Sequence, residues 1–297
     1  MQFNKYYIAA FTSFFIWGFF GLALKPLHDY ASLDILFYRV FLAAILSLLI
    51  NLLVRKVELK KDYQSFKNLP LDAKRRTVIL TVLGGFLLIF NWYLFMYAVN
   101  HVSMQSASFA YLICPIITTI LAFFILKEKL SKWQWLAVVL CAVSCSILSY
   151  GHTKELAYSL IIATSFALYL ISQRKNNKFD RFVVLTVQLL IASLVILPFF
   201  PTYSGVVPTE NLFYILLVVI VVLFTIIPLF LNLYALKGMN SSAVGILMYT
   251  NPLINFLLAI FYFHEEVQLT QIVSYGLILL SIVIFNEKHL FGKANKD

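Results

Sequence analysis

Asn91-Trp92-Tyr93-Leu94-Phe95-Met96-Tyr97-Ala98-Val99-Asn100-His101-Val102 opens a stretch, residues 91–129, that runs on through Tyr111 and Cys114-Pro115 to Lys127-Glu128-Lys129. An apolar run reaches Val99, a short polar break covers Asn100 to Ser103, and a second apolar run follows. The same figure returns 137 residues later, at 228–266. Tyr97 and Ala98 correspond to Tyr234 and Ala235, and Pro115 to Pro252. Ile117, Leu121, Ala122 and Phe124 correspond to Ile254, Leu258, Ala259 and Phe261, and Glu128 to Glu265. The offset is constant and free of gaps, which reads as an internal duplication, a feature that decides a fold when present.

Working outward, the whole chain of 297 residues is 62% hydrophobic and 12% charged, against about 45–50% apolar and about 25% charged in soluble domains. A water-soluble fold of this length cannot hide so much apolar surface, so the sequence predicts a polytopic, all-α membrane protein. Ten apolar segments approach the ~20 residues that a span needs: 6–24, 34–54, 77–99, 103–126, 133–150, 155–172, 181–199, 211–234, 240–263 and 268–286. The longest polar segment, 55–76, is too short for a separate soluble domain. The N-terminal run ends in Lys25-Pro26 without a small-residue cleavage signal, which reads as a retained first helix and not as a signal peptide.

The formal charge of +10 would suggest nucleic acid in a soluble protein. Here it reports topology, and no nucleic-acid partner is expected. With a cytoplasmic N-terminus, twenty of the 23 Lys and Arg residues fall in inside segments and only Lys25 and Lys154 outside. This is a positive-inside pattern with both termini cytoplasmic, as for a multi-pass protein of the cell (inner) membrane. Spans three and four correspond to eight and nine, an odd displacement, so the halves 1–150 and 151–297 are expected to run in opposite directions. The expected fold is ten transmembrane helices as two inverted five-helix repeats. In transporters built this way a binding site lies near the midplane between the repeats.

Candidate site residues are few. All acidic residues and all histidines lie in loops or at span ends, and Arg39 is the one charge well inside a span. An intramembrane charge is a functional hypothesis by default. The alternatives for Arg39 are snorkelling outward or pairing with Asp34. Trp17, Tyr38, Asn91, Trp92, Tyr111, Asn232, Tyr249 and Asn251 are the further polar candidates, because amides and hydroxyls in hydrocarbon turn toward the bundle or a wet cavity. Pro115 and Pro252 hold equivalent mid-span positions, where each frees a backbone carbonyl. Gly18 and Gly21 form a small-residue face suited to close helix contact. Cys114, Cys141 and Cys145 all lie in apolar runs without neighbouring His or carboxylate, so they read as packing residues, and no metal or cofactor is expected.

Phe15-Ile16-Trp17-Gly18, Tyr38-Arg39-Val40, Gly84-Gly85, Asn91-Trp92-Tyr93-Leu94-Phe95, Ala98-Val99-Asn100 and Tyr111 with Pro115 resemble the EamA group of the drug/metabolite transporter superfamily. Thr225-Ile226-Ile227-Pro228 and the run from Tyr249 through Pro252 to Ala259 continue the likeness, which covers Phe15 to about Asn286. Cys114 departs from the pattern, which has Asn before the proline, whereas Asn251 keeps that amide. The resemblance implies a ten-helix inner-membrane permease of two five-helix repeats around a central cavity. It also implies a small metabolite or drug-like solute as substrate, moved by alternating access, with export or exchange the expected direction. No P-loop is present to suggest direct ATP drive. Two rival readings are an intramembrane enzyme, which would need a nucleophile and base at membrane depth, and a non-transporting assembly partner. Homo-oligomerisation is left open.

Overall fold

The computed structural model describes residues 5–102, 104–150, 153–262, 264 and 268–286. Its regular structure is all helix, with no strand among these residues. The long helices are α1 (Lys5–Gly18), α3 (Ser32–Leu53), α5 (Leu71–His101), α6 (Met104–Leu126), α7 (Lys132–Leu148), α8 (Thr153–Lys175), α9 (Arg181–Ile196), α11 (Asn211–Val221), α12 (Ile227–Gly238), α14 (Thr250–Phe261) and α15 (Leu269–Phe285). Shorter pieces are α2 (Phe20–Leu24), α4 (Lys56–Lys67), α10 (Phe200–Tyr203) and α13 (Ser241–Leu247). Taking contiguous pieces together, seven helices are long and apolar enough to cross a membrane, and three shorter apolar helices accompany them.

Local chemistry sets several boundaries. Ser131 and Gln134 form a reciprocal capping box that starts α7. Asp180 accepts the Phe182 and Val183 N–H groups and starts α9. Lys127 and His264 are the described non-glycine residues with positive φ, 57° and 53°, and they stand 137 positions apart. Each adopts a conformation that β-carbons disfavour, at the end of an apolar helix.

The inside-out distribution of polarity follows from a lipid solvent. Phe11, Phe15, Ile45, Ile161, Leu194, Ile215 and Leu279 are exposed. Ser13, Ser47, Asn51, Thr118, Gln173, Gln188 and Asn232 are buried. In water that arrangement would be costly. In hydrocarbon, polar side chains must find partners inside the bundle.

The two ends of the chain interlock. α1 packs on α12, α13 and α14, far along the sequence, whereas α8 packs on α5 and α6. The pairs α3 with α9, α6 with α13 and α7 with α15 join one half to the other. Gly18 lies so close to α14 that an added β-carbon would stand 2.7 Å from Ile254. Gly21 has nothing within 4 Å, so the expected close contact belongs to Gly18 alone.

Four helical features differ from the sequence reading. The third span begins at Leu71, not at 77, and the polar segment before it holds a helix of its own, α4. The span over 211–234 contains a π-helical turn at Val222–Ile226. The span over 240–263 breaks at Met248-Tyr249. The first span is interrupted at Phe19. Pro115, by contrast, sits inside an unbroken α6. The repeat partner Glu265, with Glu266, lies outside the described residues.

Candidate functional site

The interior polar cluster begins at the π turn. Pro228 has no N–H to return to the Phe224 carbonyl, which is therefore free for another donor. Trp17 of α1 takes it, Nε1 to O at 2.9 Å. One turn away, the Ser13 hydroxyl donates to the Pro228 carbonyl at 2.8 Å. The wider turn also presents Thr225 inward. Its hydroxyl donates to the Ile220 carbonyl at 3.1 Å and accepts Arg39 Nε at 2.7 Å.

Arg39 is only 5% exposed. Its guanidinium carbon lies 4.6 Å from the Trp92 ring centroid and 5.0 Å from that of Phe20. The charge thus lies against two aromatic rings and is fixed at one edge by Thr225. The alternative of a pair with Asp34 is overturned: Asp34 Oδ1 accepts the Gly205 N–H at 2.9 Å instead. Snorkelling is excluded by the burial. Among the described residues the ion pairs are His28–Asp29 and Arg55–Asp180, neither involving Arg39.

Beside this cluster lies a narrow cleft between α5, α6 and α8 with open room of only about 10 Å³, the space one water molecule needs. Asn91, Phe95, Tyr111, Cys114 and Phe166 are among its lining residues. Asn91 Nδ2 is held by the Ile162 carbonyl at 2.9 Å and the Ser165 hydroxyl at 3.0 Å. Tyr111 meets Phe95 edge-on at 5.6 Å. Phe166 links the cleft to Trp17, ring centroids 6.2 Å apart.

Five of the residues singled out from sequence therefore come together: Trp17, Arg39, Asn91, Trp92 and Tyr111. Tyr38 does not join them. One position along α3, it points away from Arg39 and packs edge-on against Phe200 and Phe213 at 5.7 and 5.6 Å. Pro115 lies where α6 crosses α13, its carbonyl 3.5 Å from a β-carbon placed on Gly245. Tyr249 is fully buried beside the Cys141 and Cys145 thiols of α7. Asn251 accepts from Asn255 at 2.8 Å, and Pro252 occupies the first turn of α14. Asn232 is buried with neither amide atom hydrogen-bonded among the described residues. No cluster of His, Cys, Asp or Glu suited to a metal occurs among the described residues.

The EamA-like transporter family model matches residues 4–150 and again 153–286. The chain belongs to this family. It is similar to "Uncharacterized transporter YojE" of Bacillus subtilis, 28% identical with 92% of this chain and 91% of that protein covered. It is similar to "Protein RarD" of Salmonella typhimurium, 28% identical with 97% of each covered. "Protein RarD" of Escherichia coli is 26% identical, covering 94% and 92%. A solved structure titled "Crystal structure of protein" superposes with a TM-score of 0.73 over 93% of this chain and 94% of the other, at 14% identity, a likeness of fold. An EamA-like chain with this many apolar helices is a multi-pass membrane protein.

This EamA-like chain also holds polar residues that sequence reasoning passed over. Arg181, read as a loop charge, is 3% exposed. Its Nη1 donates to the Asn176 carbonyl at 2.7 Å and the Gln173 carbonyl at 3.3 Å, closing the C-terminus of α8. Glu128 accepts the Ser241 and Ser242 N–H groups at 2.7 and 3.1 Å, and the Ser242 hydroxyl at 2.7 Å. A loop carboxylate of the first half thus caps a helix of the second. Thr225 and Phe224 were detectable only through Pro228, whose missing N–H signals a free carbonyl nearby.

Proposed function

We propose that this protein is a secondary transporter that moves a small metabolite or drug-like solute across the cell membrane by alternating access, as an exporter or exchanger. The observation that carries the reading is the Arg39 cluster. It joins α3 and α5 of the first half to the π turn of the second, with α1 between them. A buried polar centre at the junction of two halves is where an inverted-repeat transporter holds its ligand. The family match and the relatives' names support transport as the activity class.

The architecture we propose is ten transmembrane helices as two inverted five-helix repeats, 1–150 and 151–297, with both termini cytoplasmic. The double family match supports it, as do the constant 137-residue offset and the positive φ at Lys127 and His264. The reciprocal packing of α1 on the second half and α8 on the first adds further support. The breaks at Phe19, Val222–Ile226 and Met248-Tyr249 are the proposed flexing points, because irregular helix turns need less rearrangement than regular ones.

The test is counterflow in proteoliposomes holding the purified protein alone. A transporter moves solute unaided, an intramembrane enzyme alters it, and an assembly partner does neither. Solute that is altered, or not moved at all across a broad library, rejects the proposal.

A further inference from the structure

We infer that the transported solute is a monoanion: a small organic acid whose carboxylate takes Arg39 as its counter-ion. This rests on the transporter reading above and adds the substrate class.

The argument starts from charge. A desolvated arginine in the bundle interior is expensive and is normally matched by an acid or a run of carbonyls. Arg39 has neither among the described residues. Its Nε is satisfied by Thr225, and its guanidinium carbon lies 4.6 Å from the Trp92 ring centroid and 5.0 Å from that of Phe20. Ring faces offset part of the charge but accept no fork of hydrogen bonds. The terminal nitrogens of Arg39 have no hydrogen-bond partner among the described residues. Asp34, the acid nearest in sequence, is engaged with Gly205.

Geometry then selects the ligand. With Nε held by Thr225, the two terminal nitrogens remain as a fork. That fork matches a planar carboxylate better than any other common group. One cation balances one negative charge, and Arg39 is the single charge placed deep in the spans, so a phosphate dianion is disfavoured.

The test uses the detergent-solubilised full chain and matched probes: hexanoate, benzoate and phenylacetate, each beside its primary amide, with phenylphosphonate as the dianion. A ligand that binds only the folded state raises the apparent Tm. The expected result is protection by at least one carboxylate, with its amide at least about tenfold weaker, and loss of that protection in Arg39→Gln. Arg39→Lys is expected to recover part of it, since it keeps charge but not the fork. Should Arg39→Gln not fold, the wild-type acid–amide comparison decides alone. Equal protection by acid and amide overturns the inference, as does the absence of protection by every carboxylate, or carboxylate protection unchanged in a folded Arg39→Gln protein. Uptake into proteoliposomes separates the two proposals. Movement of neutral solutes only would leave the transporter reading standing and remove the anion. Arg39-dependent carboxylate binding without movement of any solute would do the reverse.

Discussion

At the scale of single residues, identity matters most where a helix surface is crowded. Gly18 and Gly21 are chemically identical and one turn apart, yet only Gly18 has a neighbour, with Ile254 2.7 Å from where a β-carbon would sit. Gly18→Ala is therefore expected to destabilise by about 1–3 kcal/mol, since overpacking forces backbone or side-chain displacement. Gly21→Ala should be neutral or slightly stabilising because alanine favours helix. Thermal unfolding of the two variants in one detergent checks the contrast, and equal Tm values would contradict the packing described. The spacing of the glycines was legible in the sequence. Which of them faces α14 was not, because that depends on the rotation of α1 about its own axis.

At the scale of elements, helix ends tie the halves together. Glu128 follows Lys127, whose positive φ of 57° turns the chain after α6. The turn delivers the carboxylate to the free N–H groups of α13. Such a cap is worth about 0.5–2 kcal/mol, with a further gain from the helix dipole. Glu128→Ala should lower stability by that amount, and Glu128→Asp, one methylene shorter, should recover little of it; chemical unfolding followed by intrinsic fluorescence measures both. The π turn at Val222–Ile226 is the second tie. Trp17→Phe removes the donor to the Phe224 carbonyl while keeping an aromatic ring, and it should cost about 1 kcal/mol. If the π turn flexes during transport, its turnover should change by more than its stability does, which initial-rate measurement in proteoliposomes would resolve.

At the scale of the molecule, α4 and the start of α9 meet in a small ionic cluster. Arg55 pairs with Asp180 at 2.9 Å, and Asp62 accepts the Asp180 N–H at 2.8 Å. Partial burial holds the Asp62 carboxyl above its ordinary 3.8, with the nearby Asp180 charge adding to the rise and the Asp180 N–H, Lys61 and Arg55 opposing it. A raised acid pKa disfavours the folded state when the carboxyl is ionised. The penalty is absent below 3.8 and fully present above the raised folded value. Asp62→Asn keeps an acceptor for the N–H but removes the charge. Its Tm should exceed wild type at pH 8, and the gap should close as pH falls toward 4; a constant gap would assign the effect to packing. The proposed orientation has its own check at this scale. A single cysteine at Ser65→Cys, in α4, should react with an impermeant maleimide only from the cytoplasm, and one at Thr209→Cys, in the loop before α11, only from outside. The reverse pattern would invert the topology.

The class of the molecule followed from sequence alone because it rests on sums over many residues. Sixty-two per cent apolar composition, ten apolar segments and a lopsided distribution of Lys and Arg are additive signals that no single contact can overturn. The repeat was equally visible, since a constant offset survives without knowledge of contacts. The meeting of particular side chains was decided by tertiary structure. Arg39 reaches Thr225 across 186 residues of sequence, and Trp17 reaches Phe224 across 207. Lipid tails are as apolar as the packed interior, so a spanning helix needs no strong amphipathic stripe to mark its inner face. Without that stripe Tyr38 and Arg39 look alike as candidates, although one faces Phe200 and Phe213 and the other the central cluster. Only the crossing of the helices, fixed by contacts such as Gly18 on Ile254, turns one inward and the other away.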